Sequence, residues 1–464
     1  MSLLRKKGAK MKNTIAILSM LVTAAAFGAR PEVSGLSVAQ SNGRHIIDYT
    51  LSNGPAVVIV DITTNGVPVG ADWYANGALT GDFGVVSNGA RRAVYAGYLA
   101  LPLGVLDNVN LRFRVKAYSV DDPPDYMAVP LDGSRTRYYY ESAETVPGGV
   151  GDSRYKTDVL LMKRVRASGI DWIMGSASGE GGRTSREHAP HHVVLTNDYY
   201  LGVYEFTRGQ YRHFDTPKRE DYQADRADRD MVPALMATLN DLRSVDLDYA
   251  WPECGHRVKP DSFLGLLRAG TGIEFDLPTE AQWEFACRAG TTTSLYNGRD
   301  LFWSADTTDP ACVEAAQANI DDIAWHADNW TGDPAAVAYG NTNQFHVVGL
   351  KLPNAFGFYD MLGNVCEICL DMLPGSSSLL DDIYKGADAI EPVGLSLAEA
   401  TALGYPYEYN TVSGRHARRG GYCCWNGVND VAPQLIYCRA AWRQIVSPFA
   451  GYINVGFRVA CPIK

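Results

Sequence analysis

Nine cysteines occur in the 464 residues, yet none precedes Cys254. No disulfide can therefore staple whatever the N-terminal half folds into. Positive charge is also short: 42 Lys and Arg stand against 52 Asp and Glu, a formal net charge of −10. A surface of that sign repels phosphate backbones, which excludes nucleic acid as an expected partner. The apolar run Ile15 to Phe27 falls short of the roughly 20 residues needed to span a bilayer. No fixed-period repeat is present, so a solenoid or propeller array is not expected. What remains is 46% hydrophobic and 20% charged, with 45 Gly, 26 Tyr and 9 Trp. That composition is globular, turn-rich and aromatic-rich, and the length calls for two or three units.

The N-terminus reads as a secretory signal over residues 1–28. Arg5, Lys6, Lys7, Lys10 and Lys12 form a basic region, the short apolar run follows, and Ala26 and Gly28 suit the −3 and −1 positions of a cleavage site. Met11 is an alternative start that leaves a signal of the same kind. The expected location is secreted, periplasmic or cell-surface, with no membrane span after cleavage. In that setting some cysteines should pair, and their odd number leaves at least one thiol free or joined to another chain.

Residues 30–133 carry a β pattern. Leu111, Phe113, Val115 and Ala117 alternate with Arg112, Arg114, Lys116 and Tyr118, which places one face in a core and one in water. Val58, Val60 and Ile62 form a second row before the turn pair Asn65-Gly66. A small immunoglobulin- or fibronectin-like sandwich is expected, acting as a spacer or docking module. Residues 134–164 read as a linker centred on Pro147-Gly148-Gly149-Val150-Gly151. From residue 165 to the end, short helices sit among Gly-rich loops. Thr207 with Gln210 and Thr279 with Gln282 are capping-box pairs, and Gly290 is placed to stop the second helix.

Within this last region, Asp360 and Glu367 are hard oxygen donors seven residues apart, with Gly363-Asn364 between them. Such a loop can turn carbonyls inward and wrap Ca²⁺, or form a metal-free turn held by hydrogen bonds. Cys366 and Cys369 have C-x-x-C spacing, open to redox or zinc work but also to plain packing. His188, His191 and His192 cluster in sequence.

Four segments together resemble the formylglycine-generating-enzyme (sulfatase-modifying factor) family. The first runs from Trp172-Ile173-Met174-Gly175 through Glu187, Pro190 and His192 to Tyr204-Glu205-Phe206-Thr207. The second is Leu277 to Gly290 and the third Pro353 to Glu367. The fourth comprises Arg419-Gly420-Gly421, Arg439-Ala440-Ala441-Trp442-Arg443 and Gly456-Phe457-Arg458. Their order over this length is specific. The resemblance implies an α+β fold, an irregular variant of the C-type lectin fold, behind the sandwich. It implies calcium held by the side chains of Asp360 and Glu367 and the carbonyls of Gly363 and Val365. Asn319 and Ile320 resemble part of a second calcium site. The family's iron-binding relatives use histidines of a separate helical domain, which is not evident here.

Sulfatase-modifying members oxidise a substrate cysteine to formylglycine with two cysteines that bind copper(I), just after the Arg-Gly-Gly segment. Thiolates suit that soft ion. Here the first family position falls at or near Trp425, and the stretch Asn426 to Tyr437 contains no Cys. A one-residue slip brings Cys424 into the first role and Cys438 into the second, unless Cys438 pairs structurally with Cys287. Arg439, Arg443 and Arg458 are expected to anchor loops by forked hydrogen bonds. The implied activity is oxidation of a protein cysteine, with a sulfatase or another protein or peptide as substrate. The alternative is a ligand-binding or display protein that keeps the scaffold and uses Tyr422 to Tyr437 and Pro448 to Asn454 as its surface.

Overall fold

The computed structural model describes residues 29–68, 77–97, 110–187, 189–214, 227–235, 237–304, 306–307, 309–327, 329, 345–373, 389–394, 396, 399, 415–423, 434–449 and 451–463. The expected signal segment and Cys424 lie outside them.

The first unit contains β1 (Glu32–Ser41), β2 (Arg44–Ser52), β3 (Ala56–Thr64), β4 (Val67–Pro68), β5 (Leu79–Gly81), β6 (Gly84–Val86), β7 (Gly89–Tyr95) and β8 (Leu111–Ser119). They form two sheets, ordered β1-β2-β7-β5 and β4-β3-β6, with β8 also paired to β3. Asn65 and Gly66 both take positive φ, at 51° and 80°, closing the β3–β4 hairpin. Alternation along β3 then sorts its side chains. Val58, Val60 and Ile62 join the sandwich core with Ile47, Tyr49 and Leu51. Val57 and Ile59, pointing the other way, pack with Met127, Val129 and Leu160. The strand is thus buried on both faces, and both clusters continue into the second unit, the first through Tyr126, Ala128 and Tyr138.

The main sheet of the region expected from residue 165 onward also draws strands from before that point. β10 (Tyr138–Tyr140) pairs with β9 (Tyr126–Pro130), β9 pairs with β11 (Val159–Val165), and β14 (Tyr199–Gly202) and β20 (Ala460–Pro462) complete the order β10-β9-β11-β14-β20. So the end of the expected sandwich and the expected linker, 134–164, supply three strands of the C-terminal sheet. Period-2 patterning marks a strand but not its partner, which is why the boundary could not be read from it. Arg135 and Arg137 reinforce the join by donating to the carbonyls of Ala269 and Gly272.

Two smaller sheets follow. One orders β12 (Asp171–Met174), β13 (His191–Val194) and β16 (Ala389–Ile390). The other orders β18 (Arg443–Val446), β17 (Arg415–Arg419), β15 (Cys366–Leu373) and β19 (Val455–Gly456). Short helices lie between strands: α1 (Arg208–Tyr211), α2 (Leu239–Arg243), α3 (Phe263–Thr271), α4 (Glu280–Arg288) and α5 (Pro310–Ile320). Both expected capping boxes are present, Thr207 with Gln210 on α1 and Thr279 with Gln282 on α4. The mixture of short helices and irregular sheets is the expected α+β class.

Candidate functional site

The loop that leads into β15 is shaped by three residues in the left-handed region: Asp360 (φ 54°), Gly363 (φ 81°) and Asn364 (φ 52°). A Cβ at Gly363 would come within 2.0 Å of the Trp325 carbonyl oxygen, so only glycine fits. Asn364 is the hub. Its backbone N–H donates to the Trp325 carbonyl at 2.9 Å, and its Oδ1 accepts the His346 N–H at 3.1 Å. Its Nδ2 donates to Glu205 at 2.7 Å, while its carbonyl accepts the Cys423 N–H at 3.0 Å.

Three buried carboxylates meet around this loop. Glu205 accepts from the Val365 N–H at 3.1 Å as well as from Asn364. Glu367 accepts from Arg458 Nη2 at 2.8 Å and from Trp283 Nε1 at 2.8 Å. Asp360 accepts the Gly349 N–H at 2.6 Å through Oδ2, but its buried Oδ1 has no partner. Against the three stands one guanidinium, Arg458, whose other N–H groups hold the Gly202 and Tyr359 carbonyls. The Lys156 ammonium acts on Asp360 from farther off, over the Tyr204 ring. Burial, followed by the neighbouring Asp360 and Glu367, raises the Glu205 carboxyl well above its ordinary range. Burial likewise lifts Asp360 to about 6. An excess of buried negative charge is left for a proton or a hard cation to meet.

Asp360 fits the calcium role the loop implies, through the orphaned Oδ1. Glu367 has its charge met by Arg458. Among the described residues no three His, Cys, Asp or Glu side chains are arranged to hold a metal unaided. An ion here would draw on backbone carbonyls too. Asn319 and Ile320 lie in the last turn of α5. The Asn319 side chain donates to the Asp300 carbonyl at 3.0 Å, and the Ile320 carbonyl accepts the N–H groups of Ile323 and Ala324.

Beneath the loop, arginines knit the scaffold. Arg419 pairs with Glu284 and Glu280 and donates to the carbonyls of Ala441 and Trp442, all buried. Arg443 pairs with Glu280, and Arg288 with Glu284 at 2.8 Å. Arg439 holds Glu187 and Glu180 together with the carbonyls of Gly182 and Ile436. Asp371 caps α4 by accepting the Glu280 N–H at 2.6 Å; burial and the adjacent Glu280 push its carboxyl up to about 7.

The thiols are distributed. A Cβ at Gly421 would stand 2.8 Å from Cys438 Sγ, so this expected catalytic residue does lie beside the Arg-Gly-Gly segment. Cys438 packs in one apolar cluster with Cys287 and Leu435. Cys423 packs in a second with Val365 and Phe345, and Cys366 in a third with Tyr422 and Trp442. Cys287 is a free thiol, so the pairing with Cys438 is not formed, and burial raises its pKa. Cys254, Cys312, Cys369 and Cys461 are also free. Cys366 and Cys369 face different clusters from one strand, as a spacing of three in a strand dictates. His191 is buried and His192, exposed, bonds to Asp171 at 2.8 Å; they occupy opposite faces of β13.

Glu205 and Asn364 were quoted in the sequence motifs without a role. Glu205 carried a signal: a carboxylate inside the otherwise apolar run Tyr199 to Phe206, where a charge must be paired or functional. Asn364 carried none beyond its place next to Gly363.

A family model described as sulfatase-modifying factor enzyme 1-like domain matches residues 166–463, well over half of the chain. A relative from Paenibacillus barcinonensis, named chaperone protein LppX, is 28% identical over 214 residues, 41% of this chain and 69% of that one. The formylglycine-generating enzyme of Streptomyces coelicolor is 25% identical over 189 residues, 40% of this chain; the chain spans 46% of that enzyme's length. The structure of PvdO from Pseudomonas aeruginosa superposes with a TM-score of 0.42 at 20% identity, over 65% of this chain and 94% of that one.

Proposed function

The chain belongs to the sulfatase-modifying factor family, and on that premise we propose that it is an exported member that binds a protein or peptide through its lectin-like loops. The observation that carries this reading is an exposed aromatic pair, Phe449 and Tyr452. Among the described thiols, Cys366, Cys423 and Cys438 lie in three apolar clusters, and Cys438 shares its own with Cys287, Cys312 and Cys369. Exposed aromatics stand on the loop before Gly456-Phe457-Arg458: Phe449, and Tyr452 with the Arg418 guanidinium 5.7 Å from its ring. Aromatic and arginine side chains are the usual anchors of a protein interface. The basic, apolar and small-residue order at the N-terminus supports export. Among the described residues no helix is long and apolar enough to cross a membrane.

A second reading is favoured by the contact of Cys438 with Gly421: oxidation of a substrate cysteine, with Cys424 as the other thiol. Copper bound there would supply the oxygen-activating centre. Cys424 lies outside the described residues, and no step is assigned to the pair.

Anaerobic Cu(I) titration of the full protein separates the two, followed by an oxygen-dependent assay on a cysteine-containing sulfatase peptide. The binding reading expects neither stoichiometric copper nor turnover, together with loss of peptide-array signal in the Phe449→Ala/Tyr452→Ala variant. One copper equivalent that disappears in Cys438→Ser, with aldehyde formed on the peptide, would establish the oxidase instead.

Calcium is proposed as the structural ion of the Asp360 loop. It should raise the thermal midpoint of the wild type, and Asp360→Asn should remove that increment. Glu367→Gln should lower the midpoint with or without calcium, because Arg458 and Trp283 lose their acceptor either way. An equal midpoint in calcium and in chelator would remove the ion from the proposal.

A further inference from the structure

Folded interiors are close-packed, and natural ligand sites collect at the seams between units. At the seam of this chain, where β10 packs against β3, lies a cleft of about 200 Å³. That is somewhat larger than the cavity of about 150 Å³ that accepts a benzene ring in an engineered core. Its apolar wall is built by Val60, Leu79 and a stacked ring pair, Phe83 and Tyr138, with centroids 5.2 Å apart and 22° between planes.

The polar side of the lining is not neutral. Lys116 Nζ lies 2.9 Å from Asp61, and it also bonds to Glu141, which accepts a second hydrogen bond from the Tyr118 hydroxyl. One ammonium therefore serves two carboxylates. All three side chains keep partial access to solvent, between 24% and 39%. Arg114 acts on Glu141 from outside the lining, where it is exposed. The carboxylates give the cleft an unspent capacity to accept from a donor, and the ring pair gives it a flat apolar bed.

We propose that this cleft is a binding site for a small aromatic amine, its ring on Phe83 and Tyr138 and its ammonium shared between Asp61 and Glu141. The site is independent of the thiols and of the Asp360 loop. Its occupant would touch β3, β8 and β10 together and so tie the two units to one another.

The test is calorimetric titration of the full chain with three probes of one shape: 2-phenylethylamine, 2-phenylethanol and 3-phenylpropanoate. The amine should bind at least about tenfold more tightly than the carboxylate, with the alcohol between them. Lys116→Met, which removes the ammonium that the two carboxylates share, should tighten the amine further. Val60→Trp, which fills the cleft, should abolish binding; if it does not fold, Leu79→Phe replaces it. Binding of the carboxylate as tight as the amine, undiminished binding in a folded filled variant, or no binding of any probe would each overturn the assignment.

Discussion

The two halves of this chain hold themselves together differently. In the N-terminal sandwich the ion pairs lie outside: Arg92 and Asp48 meet at 2.6 Å with side chains 61% and 41% exposed. The interior is Ile47, Tyr49, Leu51, Val58 and Val60. In the C-terminal unit the charges are inside, with Arg419, Glu280, Glu284 and Arg443 all inaccessible. The apolar strands of the first half can find their core by burial alone, because its driving force is non-directional. The second has few long elements, so its loops are fixed by guanidinium forks that specify direction. Hydrophobic patterning suffices where strands are long; where they are short, position is set by charge pairs whose desolvation must be met in full.

That contrast can be broken by experiment. The largest effect is expected for Arg419→Ala, which removes the guanidinium shared by Glu280 and Glu284, leaves each buried carboxylate with one arginine, and should cost about 3–5 kcal/mol in urea unfolding. Next is a pH effect confined to the C-terminal unit. The native Asp371 carboxyl, raised to about 7, holds a proton that the unfolded chain has released above its ordinary value of 3.8. The native state thus binds more protons in that window, and stability falls as pH rises through it by up to about 1.4 kcal/mol per unit. Asp371→Asn keeps the cap on α4 and should lessen this slope, to which Asp360 and Glu205 also contribute, when midpoints are compared at pH 5 and 8. Ile47→Val in the sandwich should cost only about 1 kcal/mol, the usual effect of one deleted methyl group. Arg92→Ala should leave the midpoint unchanged. If Arg92→Ala proved as damaging as Arg419→Ala, the distinction between the halves would fail.

Local chemistry was readable in the sequence. The capping boxes at Thr207 and Thr279, the Asn65-Gly66 hairpin and the alternation of β3 depend on neighbours within a few residues, and each formed. The arginine anchors were recognisable through the family segments, which also carry the fold. What escaped was pairing at a distance. β9 looks like a sandwich strand and β10 like linker until β11 pairs with β9 and β9 with β10. Glu367 reads as an oxygen donor, but its partner Arg458 lies ninety-one residues on. Glu205 could be flagged as an oddity, but its neighbours Asn364 and Val365 lie 159 and 160 residues away. Cys438 could enter the family's second cysteine role only through a one-residue slip; in the fold it packs with Cys287, Cys312 and Cys369, which sequence spacing does not foretell.

Because both rows of β3 side chains join clusters that continue into the neighbouring unit, the two halves present each other with a matched surface. Exchanging one half for that of a homologue would transplant a lock without its key. A change at Val57 or Ile59 invites an answering change at Met127 or Val129, so these positions should drift through evolution as a pair.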